Sequence, residues 1–136
     1  MGSTMAKPAI DVGLVTADAE PLIAFYTSVA GLVRLDPLEI PNIGCIHKLA
    51  CGQSVLRIMV PTEPPAVDPS PSFSATAGIR YLTLEVVDIE AAVGAVREQG
   101  GSVALEPFQL RPGRFVAQVA DPDGNMIELG EDRESA

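Results

Sequence analysis

The stretch IDVGLVTADAEP at residues 10–21 is followed 70 residues later by RYLTLEVVDIEA at residues 80–91. Both stretches alternate apolar residues with other residues, which predicts a β-strand in each copy. Each strand leads to an aspartate, Asp18 or Asp88, that is well placed as the N-cap of a helix. The chain is therefore expected to contain one structural module twice.

Each copy continues in the same way beyond its aspartate. Apolar residues recur three and four positions apart, which predicts an amphipathic helix, and each helix runs into a glycine suited to an αL C-cap, Gly31 or Gly101. Three further strands are expected after each helix, so that the module is βαβββ. The predicted strands are 9–16, 32–36, 43–51 and 54–60 in the first copy and 79–87, 102–106, 113–120 and 125–130 in the second.

The two modules are expected to share one core, because a lone module of this size would be marginally stable. Between them lies PTEPPAVDPSPS, which carries five of the twelve prolines and is interpreted as a linker or a loop draped over a site. The predicted organisation is a tail or tag (1–8), a single domain (9–130) made of module one (9–60), the Pro-rich linker (61–72) and module two (79–130), and a C-terminal tail (131–136).

The composition excludes several partners. Nine basic residues stand against 18 acidic ones, and a net charge of −9 would repel nucleic acid and anionic membrane surfaces. No apolar run approaches the roughly 20 residues of a membrane span. Cys45 and Cys51 share strand parity and would lie too far apart for a disulfide, so reduced thiols and a cytoplasmic location are expected.

Two motifs carry a family resemblance. The first helix begins with D-A-x-x-x-x-x-F-Y, at 18–26, and the last strand begins within DPDGNMIEL, at 121–129. With the doubled module, these motifs resemble the vicinal oxygen chelate superfamily, which includes glyoxalase I, bleomycin- and fosfomycin-resistance proteins, extradiol dioxygenases and methylmalonyl-CoA epimerase. The resemblance extends from about Ile10 to Gly130. It implies an α+β fold with one cupped eight-stranded mixed sheet and outer helices, a small-molecule ligand and a homodimer.

The resemblance also implies where a site lies. In metal-using members, four side chains on the concave face hold a divalent ion, usually two histidines from the opening strands and a Glu or His plus a Glu from the closing strands. The matching positions here carry Asp11, Tyr81, Arg57 and Glu128, so one of the four keeps its usual ligand. Alternation independently places all four on the face opposite the apolar residues of their strands.

Arg57 decides the expectation about metal. Asp11 and Glu128 form a weak candidate pair of ligands, but a guanidinium has no lone pair to give and repels a cation. No cofactor is therefore expected, and a divalent metal is disfavoured. Arg57 either forms a structural ion pair or stabilises negative charge on a substrate carbonyl or enolate oxygen. In the second case Asp11 or Glu128 is the candidate general base, with Tyr81 as a hydrogen-bond donor or acid.

Other side chains are candidates by position or chemistry. His47, the only histidine, is either a general acid/base in the cavity or packed against apolar neighbours. Met59 and Thr83 follow the cavity parity and are expected to line a substrate pocket. Arg114, in the turn QLRPGRF, either holds a substrate carboxylate or phosphate or is solvated.

Three functions follow from these observations. The preferred one is a metal-independent isomerase, epimerase or lyase acting on a small carbonyl or carboxylate substrate. The alternative is a non-catalytic binding protein resembling bleomycin-resistance proteins, although aromatic residues are only 4% of the chain and stacking on a flat drug would need them. The third is a divalent-metal-dependent lyase or dioxygenase, against which the loss of both usual histidines argues.

Overall fold

The computed structural model describes residues 2–66 and 72–134. Within them lie two helices and nine strands. In chain order the elements are β1 (Val12–Val15), α1 (Ala19–Ala30), β2 (Val33–Arg34), β3 (Leu38–Ile40), β4 (Gly44–Cys51), β5 (Ser54–Pro61), β6 (Tyr81–Glu85), α2 (Ile89–Glu98), β7 (Ser102–Arg111), β8 (Arg114–Ala120) and β9 (Met126–Asp132). The predicted α+β fold with two βαβββ modules is confirmed.

The first module departs from the predicted pattern at one point. The single strand expected at 32–36 is instead two short strands, β2 and β3, separated by Leu35, Asp36 and Pro37. Proline has no N–H and restricts the residue before it, so the chain cannot continue in one ladder at this point. Both short strands pair antiparallel with β4.

Each module forms its own mixed sheet. The first has the strand order β1-β5-β4-β2, with β3 also on β4, and the second has the order β6-β9-β8-β7. The opening and closing strands of each module, β1 with β5 and β6 with β9, are parallel, whereas the other pairs are antiparallel. This pairing puts the opening and closing strands side by side, and these are the strands that carry the predicted site residues.

The described residues group into two compact units. The first comprises Met1–Ala19 and Leu32–Pro65, and the second comprises Glu20–Gly31 and Ala66–Ala136. Helix α1, although it belongs to the first module by sequence, therefore groups with the second sheet. Its large side chains Phe25 and Tyr26 are fully buried.

Gly101 in the second unit explains how α1 can pack closely. A Cβ placed on Gly101 would lie 2.5 Å from the carbonyl oxygen of Ala120 and 2.7 Å from the Phe25 ring. The αL residue that ends α2 is Gly100, with φ 82°, and not Gly101 as predicted. Gly31 does adopt the predicted left-handed conformation, with φ 70°. The absence of a side chain at Gly101 thus serves packing and not the helix end.

Asp121, in the turn before β9, ties α1 to the second sheet. Its carboxylate is 3% exposed and accepts a 2.7 Å hydrogen bond from the Tyr26 hydroxyl. It also accepts bonds from the backbone N–H groups of Asp123 and Asn125 and from the Asn125 side-chain amide. Burial raises the pKa of Asp121 and these hydrogen bonds oppose the increase. The aspartate of the DPDG motif is therefore a structural anchor.

Helix α2 begins as the sequence predicts. Asp88 has extended backbone angles, and its carboxylate accepts a 3.1 Å hydrogen bond from the backbone N–H of Ala91. Glu131 satisfies a second free N–H of the same helix turn, that of Ile89, at 2.8 Å. These two carboxylates account for the start of α2.

Three further expectations concern the chain outside the site. Both cysteines are free thiols, as expected. The predicted linker begins one residue too early, because Pro61 is the last residue of β5, opposite Gly44, and residues 67–71 lie outside the described residues. Neither of the helices in the described chain has the length and apolar character needed to cross a bilayer.

Candidate functional site

Asp11 and Arg57 meet in the first unit. Asp11 immediately precedes β1, and the parallel β1–β5 register sets Gly13 beside Arg57. The Asp11 carboxylate accepts hydrogen bonds from the Arg57 guanidinium at 3.2 Å, the backbone N–H of Val55 at 2.9 Å and the Lys7 ammonium at 2.8 Å. The predicted pairing of these two residues is thus present.

Those three donors lower the pKa of Asp11 from 3.8 to about 2, and the Lys7 hydrogen bond is the largest cause, followed by Val55 and then Arg57. A carboxylate with such a low pKa is a weak proton acceptor at neutral pH. Asp11 is consequently better suited to orient Arg57 than to act as a general base.

The face that carries Arg57 is polar at one end and apolar at the other. Lys48 on β4 lies directly across from Arg57, and Ile46 lies across from Met59 one pleat further along. Val15 on β1 is the other neighbour of Met59. Met59, predicted to contact substrate, therefore shares the Arg57 face and contributes apolar surface to it.

His47 lies on the other face of the same sheet. Its cross-strand partner is Ile58, which is fully buried, and Leu49 on its own strand is buried as well. Its Nδ1 is buried and makes no hydrogen bond to the described residues. The structure does not bring His47 to the Asp11–Arg57 pair, which leaves the second sequence interpretation, packing against apolar neighbours.

Tyr81, Thr83 and Glu128 occur together in the second unit. The parallel β6–β9 register pairs Tyr81 with Met126 and Thr83 with Glu128. The Thr83 hydroxyl donates to Glu128 at 3.4 Å, and the Glu128 side chain is 26% exposed. Glu128 thus has access to solvent and makes one long hydrogen bond within the described chain. The sequence-based expectation that Tyr81 and Glu128 share one site with Asp11 and Arg57 stays a prediction.

Phe73 covers Tyr81 in the same unit. The two rings are stacked with centroids 4.1 Å apart and an interplanar angle of 8°. Phe73 follows the Pro-rich segment, and sequence reasoning did not identify it as a site residue. The signal available was an aromatic residue next to a segment interpreted as a loop over a site. Tyr81 remains 46% exposed.

Arg114 forms ion pairs with neighbouring carboxylates. It pairs with both oxygens of Glu85, with Asp132 at 3.1 Å, and lies 4.0 Å from Glu128. Hydrogen bonding to Glu85 is the main cause that raises its pKa above the usual range. A Cβ on Gly130 would clash with both Arg114 and Glu85. Arg114 therefore shapes the surroundings of Glu128, and its guanidinium is less open to a substrate anion than the sequence suggested.

The donor set does not fit a metal of the family kind. Arg57 has no lone pair, and the Asp11 oxygens already accept three hydrogen bonds. One acidic cluster elsewhere in residues 2–66 and 72–134 brings ligand atoms within 4.8 Å: Asp88, Glu90 and Glu131. Arg133 pairs with the last two, and Asp88 caps α2, so this cluster is a structural ion-pair network.

Acid titration should show how far the three hydrogen-bond donors lower the pKa of Asp11. A folded-state pKa below the unfolded value stabilises the fold above about pH 3.8, and this contribution is lost as the pH falls toward 2. We expect the side-chain carboxyl carbon of Asp11 to titrate near pH 2 by NMR. In Lys7→Met the midpoint should rise, because the largest cause of the shift is removed. A midpoint near 3.8 in the unmodified protein would contradict the hydrogen-bond arrangement.

Comparison with known proteins identifies the family. The model of the Glyoxalase/Bleomycin resistance protein/Dioxygenase superfamily matches residues 10–129, and the chain belongs to this superfamily. A lactoylglutathione lyase of Arabidopsis thaliana is 30% identical over 115 residues, which are 82% of this chain and 40% of that protein. The chain thus spans about two fifths of the length of that curated relative.

Solved structures support the same fold. A glyoxalase family protein from Bacillus cereus superposes with a TM-score of 0.78 at 18% identity, covering 96% of this chain and all of that one. The fosfomycin resistance protein of Mesorhizobium loti gives a TM-score of 0.69 at 16% identity, with 96% and 94% covered. At these identities the likeness shows the fold alone. The predicted family is confirmed.

Proposed function

We propose that this protein is a metal-independent glyoxalase-type enzyme, an isomerase, epimerase or lyase, that acts on a small carbonyl or carboxylate compound. The observation that carries the proposal is the Arg57 guanidinium paired with Asp11, at the position that the family resemblance matches to a ligand of metal-using members. Asp11 orients it through one nitrogen, and its side chain is 42% exposed. Its remaining N–H groups can therefore approach a substrate.

A fixed cation suits the chemistry of this class. When a proton leaves the carbon beside a carbonyl, negative charge develops on the carbonyl oxygen. A preorganised donor at that oxygen stabilises the enolate, and removing such a donor typically lowers turnover about 10²–10³-fold. Arg57 is proposed to act in this way, with its planar fork held in place by Asp11.

Glu128 is the carboxylate proposed to accept the proton. Unlike Asp11, it has one hydrogen bond at 3.4 Å and an arginine at 4.0 Å among the described residues, and it is partly exposed. The Thr83 hydroxyl can fix its orientation, and Tyr81 is proposed as a hydrogen-bond donor.

The lactoylglutathione lyase among the relatives suggests one compound to test, lactoylglutathione. Small 2-oxo and 2-hydroxy acids are the other compounds to test, because they combine a carbonyl group with a carboxylate. Protein treated with a chelator should be incubated with each compound in D₂O, and exchange of the proton beside the carbonyl followed by NMR. Exchange without added metal is expected. Exchange only after Ni²⁺, Zn²⁺ or Mn²⁺ is supplied would contradict the proposal.

The stacked pair Phe73 and Tyr81 favours a second candidate, non-catalytic binding of an aromatic compound. An exposed aromatic face can stack on a flat ring, which the low aromatic content had argued against. A thermal-shift screen with aromatic antibiotics, repeated in Phe73→Ala, separates the two functions. Stabilisation by antibiotics that Phe73→Ala abolishes, together with no proton exchange on any carbonyl compound, would favour binding.

A further inference from the structure

Lys48 and Arg57 form a pair of like charges on one sheet face. They are direct cross-strand partners in the antiparallel β4–β5 ladder. Residues opposite each other in such a ladder have Cβ atoms about 4.5–5.5 Å apart, and like charges there are destabilising. Lys48 has no sequence signature of a site residue, because its position opposite Arg57 follows only from the β4–β5 register.

The charges around this pair are unbalanced. Lys7 and Arg57 share the one carboxylate of Asp11. In the described part of the chain, the Lys48 ammonium has neither a hydrogen bond nor an ion pair. The first unit carries four basic residues against five acidic ones, whereas the second carries five against thirteen. An anion is therefore repelled least on the first unit, and it finds two adjacent cations at this face.

The surface beside the pair is open. Gly13 is the neighbour of Arg57 on β1, and a Cβ built on Gly13 would meet no atom within 4 Å. The φ of Gly13 is not in the left-handed region, so backbone geometry does not require a glycine there. The apolar side chains of Val15, Ile46 and Met59 lie on the same face, two residues along their strands from Gly13, Lys48 and Arg57.

We propose that Lys48 and Arg57 form a carboxylate-binding subsite that accepts a small branched or linear acid. The Arg57 fork takes the two carboxylate oxygens, Lys48 adds a point charge, and the apolar residues contact the carbon chain. The inference deepens the proposed function, on which it rests, by making the carboxylate of the substrate the carbonyl group whose developing negative charge Arg57 stabilises, and Lys48 the specificity-determining residue. Binding of the anion itself does not require turnover.

The test is an NMR titration of the full chain at low chloride with isobutyrate, its neutral isostere isobutyramide, and inorganic phosphate. Isobutyrate is expected to change the chemical shifts of backbone amide groups in β4 and β5. Isobutyramide is expected to leave these chemical shifts unchanged. Lys48→Met should weaken isobutyrate binding about tenfold or more, as loss of a charged hydrogen bond does, and Lys48→Arg should largely restore it. Arg97→Met, which removes one positive charge paired with Glu106 in the second unit, is the matched control and should bind like wild type.

Gly13→Val supplies an independent variant. Its added methyl groups would occupy the open space beside Arg57, so binding should be lost although both charges remain. Unchanged affinity in folded Lys48→Met and Gly13→Val, equal binding of isobutyramide, or tighter binding of phosphate than of isobutyrate would each overturn the subsite. If isobutyrate binds with the expected dependence on Lys48 and Gly13 but no carbonyl compound is turned over, the proposed enzymatic function is contradicted and the carboxylate-binding subsite is supported.

Discussion

Replacing Arg57 with leucine is expected to lower turnover about 10²–10³-fold, the loss typical when a donor to a developing oxyanion is removed. The fold should survive, because the Arg57–Asp11 ion pair is partly exposed to solvent, which screens it, and such pairs contribute little to stability. Leucine also retains much of the apolar stem of arginine. The loss should therefore appear in kcat at unchanged melting temperature, measured with whichever carbonyl compound shows proton exchange.

Two variants control this experiment. Arg57→Lys keeps the charge but loses the planar fork, so its turnover should fall between that of wild type and that of Arg57→Leu. Arg97→Leu removes a positive charge in the second unit and should leave turnover unchanged. If Arg57→Leu turned over like wild type, the guanidinium would be a structural ion pair only. Glu128→Gln tests the proton acceptor in the same assay and should be similarly impaired.

The largest effect on stability is expected for Asp121→Ala, at about 3 kcal/mol of unfolding free energy. The substitution removes four hydrogen bonds and leaves the buried Tyr26 hydroxyl without its acceptor. Burial and the Asp121 charge raise the pKa of Tyr26 well above 10, so the phenol stays a donor at all moderate pH values. The cost is thus one of unsatisfied donors, measurable by urea unfolding at neutral pH.

Two conservative variants provide reference values for the unfolding free energy lost in Asp121→Ala. Asp121→Asn keeps an oxygen for the backbone N–H groups and removes the desolvated charge, so it should cost less. Tyr26→Phe deletes one hydrogen bond and leaves the carboxylate its other three donors, so about 1 kcal/mol is expected. A value for Asp121→Ala within about 0.5 kcal/mol of wild type, the range of ordinary surface substitutions, would show that the anchor is unimportant.

The fold could be predicted from local pattern because the pattern occurs twice. Alternation located the closing strands almost to the residue, and Asp88 was correctly assigned as a cap. Strand parity also put Arg57 and Met59 on one face, whereas it left the face of His47 open until the β4–β5 register placed His47 opposite Ile58. Parity depends only on the two-residue period of a strand, which the sequence displays directly.

Pairing between distant residues could not be predicted in the same way. Periodicity shows that α1 has an apolar face but not which sheet receives it. The helix groups with the second sheet, where Tyr26 bonds to Asp121, 95 residues further along the chain. Gly101 resembled a helix end because close packing against Phe25 leaves no local signature. Short-range patterns carry no information on such partners.

Charged side chains were the least predictable part of the site. Arg114 was expected either to hold a substrate anion or to be solvated, and its ion pairs with Glu85 and Asp132 on two other strands were not foreseen. Lys48 was overlooked because its position opposite Arg57 follows from the β4–β5 register alone. A long side chain reaches several neighbours, so its partner is fixed by tertiary structure and not by sequence spacing.

The most direct test is the metal content of protein purified without chelators, measured by inductively coupled plasma mass spectrometry alongside calorimetric titration with Zn²⁺, Ni²⁺ and Mn²⁺. Because Arg57 offers a positive charge in place of a ligand, well below one ion per chain and no saturable binding are expected. Arg57→Glu, which replaces the guanidinium with a carboxylate beside Asp11, should bind these ions more tightly than wild type. One tightly held ion per wild-type chain, lost in Glu128→Gln, would contradict the account.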